Sequence, residues 1–204
     1  MWTGAILAGG RARRFGGLNK AGLILASGGE SVLDRQLSRL RRVVDRTIII
    51  ANDAEQFRTA GVPVIRDLVP DGGALGALYT AVHAAPTDWT VVIACDMPFV
   101  SERLLAYLVS VGTSADLTIP RTARGYEPLC AAYSRRCASE FRRLIDEKQF
   151  RLSNVARIPG LNVREIRGGE LELFGPEEVL FFNLNTPADH ERAIAIDGEY
   201  HYPS

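Results

Sequence analysis

The sequence of 204 residues carries no net charge, since 24 lysine and arginine residues balance 24 aspartate and glutamate residues. Without a basic excess, the composition gives no sign of a nucleic-acid partner. Lysine is nearly absent, because Lys20 and Lys148 are the only two in the sequence. Arginine therefore supplies most of the positive charge, and a lysine inside a glycine-rich loop becomes a candidate for a specific role.

Cysteine and histidine are also scarce. The three cysteines, Cys95, Cys130 and Cys137, are odd in number and show no C-x-x-C spacing, and the three histidines are scattered. This pattern argues against a disulfide scaffold and a zinc site, and it is typical of the reducing cytosol. No apolar run approaches the ~18 residues of a membrane span, and no signal peptide is recognisable at the N-terminus. We therefore expect a cytoplasmic protein.

Strand-like and helix-like segments alternate along the chain. Apolar runs indicate buried strands at residues 3–8, 47–51, 62–65, 89–94 and 115–119, and further strand-like pieces at 129–133, 161–167 and 171–174. Helical patterns occupy residues 31–44, 53–60, 75–85, 101–111 and 137–147, and a last helix follows Thr186. Near-continuous apolar strands that alternate with helices predict a parallel sheet covered on both faces. We predict an α/β fold, a three-layer αβα sandwich with a mostly parallel, Rossmann-like central sheet.

The glycine- and arginine-rich loop after the first strand is the strongest functional signal. Its sequence, from Gly9 to Lys20, is GGRARRFGGLNK. Glycines allow backbone N–H groups to approach a phosphate, and the four cations of the loop would offset the charge of a triphosphate. The loop is not a P-loop, because Ala21 follows Lys20, and its glycines do not have dinucleotide-fingerprint spacing. We interpret it as a nucleotide site; the alternative is a surface loop without a ligand.

Polar residues also stand at the carboxyl ends of the later strands, where α/β sheets bind ligands. Asn52, Asp67 and Asp96 each follow a strand-like run. A carboxylate such as Asp96, followed by a turn at Pro98, suits a divalent cation that also binds substrate phosphates. The alternative for both aspartates is an ordinary loop-capping role. The Gly73–Gly76 segment lets a helix start approach a ligand, with tight helix–strand packing as the alternative.

Taken together, these motifs resemble the molybdenum cofactor guanylyltransferases, within the broader nucleotide-diphospho-sugar transferase-like fold. The matching residues are Leu7-Ala8-Gly9-Gly10, Arg13-Arg14-Phe15-Gly16-Gly17 with Lys20, Asn52, Asp67, Gly73-Ala74-Leu75-Gly76, Cys95-Asp96-Met97-Pro98 and Asn183-Leu184-Asn185-Thr186-Pro187. The likeness runs from residue 3 to about 195. Asn19 stands where the family usually has aspartate, and Ala74 where it usually has proline.

The resemblance implies a nucleotidyltransferase that moves GMP from GTP to the terminal phosphate of molybdopterin and releases pyrophosphate, with Mg²⁺ as cofactor. The implied catalytic residues are Lys20 and Arg14, which neutralise the triphosphate, and Asp96, which holds the metal. The implied nucleotide-binding residues are Leu7, Ala8, Gly9, Gly10, Asn52, Asp67, Gly73 and Gly76. Asn183 and Asn185, with the loop near Pro128, would face the pterin.

The sequence contains no recognisable linker that would separate two domains. We expect one domain over residues 1–196, with a nucleotide-binding half at about 1–120, an acceptor-binding half at about 121–196 and a frayed tail at 197–204. GTP and molybdopterin would be the small-molecule substrates. Molybdenum-insertion proteins or apo-molybdoenzymes would be transient partners, since the cofactor must be handed on.

Other functions on the same residues stay open. A cytidylyl- or sugar-phosphate nucleotidyltransferase would use the same Lys20 and Asp96 with a different base and acceptor. A non-catalytic nucleotide-binding protein would bind nucleotide without releasing pyrophosphate. A glycosyltransferase is disfavoured, because its metal motif is Asp-x-Asp and Pro98 takes the place of the second aspartate.

Overall fold

One mixed sheet organises the chain. The computed structural model describes residues 1–8, 22–25 and 29–199. Within them, the strands are β1 (Trp2–Leu7), β2 (Arg46–Ile50), β3 (Val64–Ile65), β4 (Trp89–Ala94), β5 (Leu117–Thr122), β6 (Gly125–Tyr126), β7 (Cys130–Ser134) and β8 (Val163–Arg167). Their order is β3-β2-β1-β4-β7-β5-β6, and β8 pairs with β5.

Strand direction decides which strand ends meet. The pairs β1–β2, β1–β4, β2–β3 and β5–β8 are parallel. Strand β7 is antiparallel to both β4 and β5, and β6 is antiparallel to β5. The carboxyl ends of β1 to β5 and β8 therefore lie at one edge of the sheet, together with the amino end of β7. We call this the carboxyl edge.

Helices cover both faces of the sheet. They are α1 (Val32–Val43), α2 (Gly73–Ala84), α3 (Glu102–Gly112), α4 (Cys137–Asp146), α5 (Gly169–Glu172), α6 (Glu177–Leu180) and α7 (Pro187–Glu199), with short 3-10 helices at Glu55–Ala60, Pro70–Gly72 and Leu152–Arg157. Helices α1 and α3 pack together, as do α2 and α4. No helix in the described ranges is long and apolar enough to cross a membrane.

The two hydrophobic cores follow from the alternation of side chains along buried strands. In β1, Ile6 points into the core that also contains residues of α1 and α3, whereas Ala5 and Leu7 point into the core that contains α2 and α4. Every residue of β1 is buried, as a strand between two helical layers requires. The prediction of a three-layer αβα sandwich is confirmed.

Side chains cap the starts of three of the described helices. Ser31 and Ser101 accept hydrogen bonds from the backbone N–H groups of Asp34 and Leu104, which caps α1 and α3. At α7, Asp189 N donates to Thr186 Oγ1 over 3.1 Å, and Thr186 N donates to Asp189 Oδ2 over 2.8 Å. This is a reciprocal capping box.

Two sequence predictions need correction. Residues 171–174, expected as a strand-like piece, form the end of the helical turn α5 and the turn that follows it, because Gly168 adopts φ +55° and turns the chain directly after β8. The frayed tail was expected to begin at residue 197, and this boundary is also wrong. Helix α7 continues to Glu199, and Asp197 within it is buried. Residues 200–204 lie outside the described part of the chain.

A third, smaller core attaches the C-terminal segment to the sheet. Its buried members are Leu25, Val32, Phe99, Phe182, Leu184 and Ala193. Beside it, the guanidinium of Arg35 on α1 donates two hydrogen bonds to the carboxylate of Asp197 on α7. The side chains are only 9% and 3% exposed. The two hydrogen bonds of this buried pair tie the two helices together, and removal of either side chain would be costly because the other charge would stay buried.

We expect Asp197→Ala to lower the free energy of unfolding by about 3 kcal/mol, since the buried Arg35 guanidinium loses its bidentate partner and the Glu30 carboxylate lies 4.0 Å from its Nε. Asp146→Ala is the matched control, because it removes an exposed i,i+4 pair with Arg142 that contributes about 0.5 kcal/mol or less. Urea unfolding at constant m-value measures both changes. Equal losses in the two variants would contradict this assignment.

Candidate active site

Backbone hydrogen bonds hold the strand ends of the carboxyl edge side by side. Ala8 N donates to Ile50 O over 2.9 Å, and Cys95 N donates to Leu7 O over 3.0 Å. On one side Ala51 N donates to Ile65 O over 3.0 Å, and on the other Ala94 N donates to Leu129 O over 2.8 Å. The segments that begin at Ala8, Asn52, Asp67 and Asp96 therefore emerge next to one another, as the sequence predicted.

The acidic loop, residues 95–100, continues from β4. Asp96 is half-buried, and Met97 N donates to Ala94 O over 3.2 Å, so the chain turns immediately after the strand. The Asp96 carbonyl accepts a hydrogen bond from Leu184 N over 2.8 Å. That bond brings the Asn183–Pro187 motif, which is 87 residues away or more in sequence, directly onto the acidic loop.

Two side chains of α1 support the acidic loop from below. Gln36 is 1% exposed, and its Nε2 donates to Ala94 O over 2.8 Å and to Met97 O over 3.0 Å. Arg39 Nη1 donates to Pro98 O over 3.0 Å and to Val100 O over 2.7 Å. The backbone on both sides of Asp96 is thus fixed to α1.

Sequence reasoning missed Gln36, although the signal was present. The residue stands on the apolar face of α1, between Val32 and Leu40 at spacings of four, and all three are buried. A buried amide must find hydrogen-bond partners, and Nε2 has found them, whereas Oε1 has no partner among the described residues.

The loop after β3 is closed by Asp67. This carboxylate is 6% exposed. Its Oδ1 accepts from Val69 N over 2.9 Å and lies 2.9 Å from Thr80 Oγ1 on α2, while Leu68 N donates to Thr80 Oγ1 over 3.0 Å. One oxygen of Asp67 therefore serves the loop itself, which is the loop-capping alternative, and Oδ2 is the atom left for a ligand.

The start of α2 lies against the same loop. Gly73 has φ +58°, a conformation that favours glycine, and no side chain in the described parts of the chain caps the first N–H groups of the helix. At Gly76 a Cβ atom would lie 2.3 Å from the Val69 carbonyl oxygen. Tight packing of the helix against the loop therefore requires glycine at position 76. At Gly73 the helix begins without a side-chain cap, so its first N–H groups form an open helix start.

The Asn183–Pro187 motif presents two different asparagines. Asn183 is half-buried and its Nδ2 donates to Phe181 O over 3.0 Å, so its side chain stabilises its own turn. Asn185 is exposed, and its backbone N donates to Asp189 Oδ2 over 3.0 Å. Asn52, at the opposite end of the candidate site, is exposed as well.

Comparisons with known proteins agree with this geometry. The sequence profile of the MobA-like NTP transferase domain matches residues 4–158. The molybdenum cofactor guanylyltransferase of Desulfosudis oleivorans is 32% identical over 95% of this chain and 94% of its own. The probable molybdenum cofactor guanylyltransferase of Pelotomaculum thermopropionicum is 34% identical over 94% and 91%. The chain belongs to the molybdenum cofactor guanylyltransferase family.

Solved structures support the same family and fold. Molybdopterin-guanine dinucleotide biosynthesis protein A from Archaeoglobus fulgidus superposes with a TM-score of 0.80 at 28% identity, over 97% of this chain and 100% of its own. The manganese complex of Rv0371C from Mycobacterium tuberculosis has a TM-score of 0.68 at 22% identity, over 95% and 98%. At that identity the second likeness concerns the fold alone.

Some of the predicted site residues of this guanylyltransferase-family chain fall outside the described ranges. They are Gly9, Gly10, Arg14 and Lys20, so their roles stay predictions. Leu7 and Ala8 are described: the Leu7 carbonyl and the Ala8 amide are both used by the sheet. A nucleotide contact from these two residues therefore falls to other groups, such as the Ala8 carbonyl.

The carboxylate predicted to hold a metal on this edge is that of Asp96. In the parts of the chain that the structure describes, no three His, Cys, Asp or Glu side chains come together as a metal cluster. Asp96 offers carboxylate oxygens on a rigidly held loop, which fits Mg²⁺, because that ion is held by one or two carboxylates with waters and substrate phosphates.

One further carboxyl group on this edge was not expected. Glu127 lies in the short segment between β6 and β7, is half-buried, and has its pKa raised to about 7. Burial is the largest cause and Glu177 adds to it, while Arg124 and Thr122 act in the opposite direction. Sequence patterns gave no signal for it, because burial of a loop residue depends on distant segments.

We expect Gly76→Ala to lower the free energy of unfolding by more than about 1 kcal/mol, since the new methyl group overlaps the Val69 carbonyl and must displace backbone. The control is Gly198→Ala on α7, where a Cβ meets nothing within 4 Å and the better helix propensity of alanine stabilises slightly. Thermal unfolding of both variants measures the contrast, and a neutral Gly76→Ala would contradict the packing argument.

We expect Gln36→Leu to lower kcat roughly 10- to 100-fold, because the loop that carries Asp96 loses two donors and shifts. Steady-state kinetics at a temperature where the variant is folded measures this, with the exposed Gln56→Leu as control. A variant with unchanged kcat and an unchanged Mg²⁺ requirement would show that α1 does not position the acidic loop.

Proposed function

We propose that this protein transfers GMP from GTP to the terminal phosphate of molybdopterin, with release of pyrophosphate. The observation that carries the proposal is the 2.8 Å hydrogen bond from Leu184 N to the Asp96 carbonyl. It joins the motif assigned to the acceptor to the loop assigned to the metal, so the two reacting phosphates would meet beside Asp96. The names of the relatives and of the A. fulgidus structure support the same substrates.

The reaction joins two anions, and this decides what the residues must do. The attacking phosphate of the acceptor is already ionised, so no general base is required. The barrier is electrostatic repulsion and the loss of freedom on bringing both substrates together, which positioning and charge neutralisation reduce. Lys20 and Arg14 would neutralise the triphosphate, while Asn52, Asp67 and the open start of α2 would bind the nucleoside and phosphates.

Asp96 would hold Mg²⁺, which supplies charge neutralisation at the α- and β-phosphates. The fit rests on the donor set, a carboxylate on a loop whose backbone is bonded to Gln36 on one side and Leu184 on the other. Rv0371C from M. tuberculosis, a protein of the same fold, has been solved as a complex with manganese, and this supports a divalent cation as cofactor. We propose a cytoplasmic location and transient handover to molybdenum-insertion proteins or apo-molybdoenzymes.

We expect pyrophosphate release with Mg²⁺, molybdopterin and GTP, and none with CTP, ATP or UTP. Asp96→Asn should reduce the rate by a factor of roughly 10³ or more, since metal-held charge stabilisation contributes several kcal/mol, without loss of folding. The exposed Asp146→Asn is the control variant.

Each contrary outcome has a definite meaning. Release with CTP would assign the cytidylyl reaction instead. Nucleotide binding without release under any condition would favour the non-catalytic alternative. A near wild-type rate in Asp96→Asn would remove the metal assignment.

A further inference from the structure

The carboxyl edge continues past Asp96 onto a second half of the sheet. The Ala94–Leu129 hydrogen bond is the last rung between β4 and the chain that enters β7. Asp96 lies two residues beyond Ala94, and Glu127 lies two residues before Leu129. The two carboxyl groups therefore flank the same strand end, with Asp96 on the β1–β4 side and Glu127 on the β7–β5 side.

The order of the strands separates the two substrates. Ala8, Asn52 and Asp67 end β1, β2 and β3, so the nucleoside belongs to the β3-β2-β1 half. If the two phosphates meet at Asp96, the body of the acceptor extends the other way, over the loops that lead into β7 and out of β5. Glu127 lies in that half.

Backbone and side-chain contacts hold Glu127 in place. Its N–H donates to Pro120 O over 2.9 Å and its carbonyl accepts from Cys130 N over 3.0 Å. The neighbouring hairpin is tied to α6, because Ala123 N donates to Glu177 Oε2 over 3.1 Å. Helix α6, which precedes the Asn183–Pro187 motif, therefore lies beside the hairpin that leads to Glu127.

The carboxyl group of Glu127 is poorly satisfied for a half-buried group. Among the described residues its one hydrogen-bond contact is Thr122 Oγ1 at 3.5 Å, and it forms no ion pair within 4 Å. Other half-buried glutamates of the same region are well paired. Glu165 accepts from Tyr126 OH over 2.6 Å and from Arg121 over 3.1 Å, and Glu170 accepts from Arg164 over 3.1 Å.

A half-buried carboxyl without strong partners is costly for folding. Its raised pKa, about 7, has the same main cause, because burial outweighs the opposing effects of Arg124 and Thr122. A ligand that brought two N–H donors would remove this cost and favour the carboxylate. The ligand chemistry that does so is a 2-amino-4-oxopyrimidine edge, where a ring N–H and an exocyclic amine point the same way and match two carboxylate oxygens.

We propose that Glu127 binds the donor edge of the acceptor's pterin ring and thereby selects the acceptor. The inference rests on the proposed function for the identity of the acceptor. Guanine carries the same donor edge, so the chemistry alone admits two sources. The position of Glu127 on the β7–β5 half, across Asp96 from Asn52 and Asp67, favours the pterin.

The test compares wild type with Glu127→Gln, which is nearly isosteric but replaces one acceptor oxygen with an N–H₂ group. The exposed Glu178→Gln on α6 is the matched control. We expect Glu127→Gln to raise the KM for molybdopterin about 10- to 100-fold, the range of a lost charge-assisted hydrogen bond, with kcat and the KM for GTP nearly unchanged. Its melting temperature should not fall, because a poorly paired buried charge is removed.

Ring analogues separate recognition from a structural role. Fluorescence titration compares pterin with lumazine, which has an oxo group in place of the 2-amino donor. Wild type and Glu178→Gln should bind pterin more tightly than lumazine, and Glu127→Gln should lose this difference. No pterin preference in wild type, or the same preference in Glu127→Gln, would overturn the proposal.

A nucleotide arm distinguishes the two sources of the donor edge. The KM for GTP and the KM for ITP, whose base lacks the 2-amino group, are measured for wild type and for each variant. If Glu127→Gln abolishes the GTP preference and leaves pterin binding intact, Glu127 binds guanine and the proposal is wrong. Failure of the proposed function is a separate result, since wild type would then release no pyrophosphate while the pterin–lumazine titration still tests Glu127.

Discussion

The position of Asp96 depends on hydrogen bonds to the backbone of its own loop. Gln36 on α1 donates side-chain hydrogen bonds to the carbonyls of Ala94 and Met97. Leu184 in the C-terminal motif donates its backbone N–H to the Asp96 carbonyl. A carboxylate that would hold a metal ion against phosphates must be in place before the substrates arrive, because reorganisation during the reaction would cost activation energy. Helix α1 and Leu184 therefore hold the backbone of the loop that carries Asp96.

The antiparallel strand β7 divides the carboxyl edge into two halves. The run β3-β2-β1-β4 is parallel, and β5 lies beyond β7. At β7 the chain enters the sheet from the carboxyl edge rather than leaving the sheet there. The segment from Thr122 to Leu129 therefore lies at this edge, next to the end of β4 that leads to Asp96. A nucleotide on one side and an acceptor on the other can then approach a common point.

Two charged sites of this structure, the Arg35–Asp197 pair and Glu127, differ in whether a protein partner neutralises the charge. Arg35 and Asp197 neutralise each other between α1 and α7, where solvent is excluded, and so contribute to the attachment of the C-terminal helix. Glu127 is partly exposed and has no such partner within the described ranges. The first arrangement is complete within the protein, whereas the second is suited to a group that arrives from outside.

The sequence by itself determined the layer order, most of the strands and the long helices, because these depend on local periodicity and on side chains within four residues. It also placed Asn52, Asp67 and Asp96 at strand ends, since strand boundaries are local. It did not predict β6, α6 or the antiparallel direction of β7. It did not identify Gln36 or Glu127, and it took residues 171–174 for a strand, because alternating residues fit one helical turn equally well. Only the tertiary structure decided which side chains lie under the acidic loop and which carboxyl is left poorly paired, since burial and partnership arise from segments far apart in the chain.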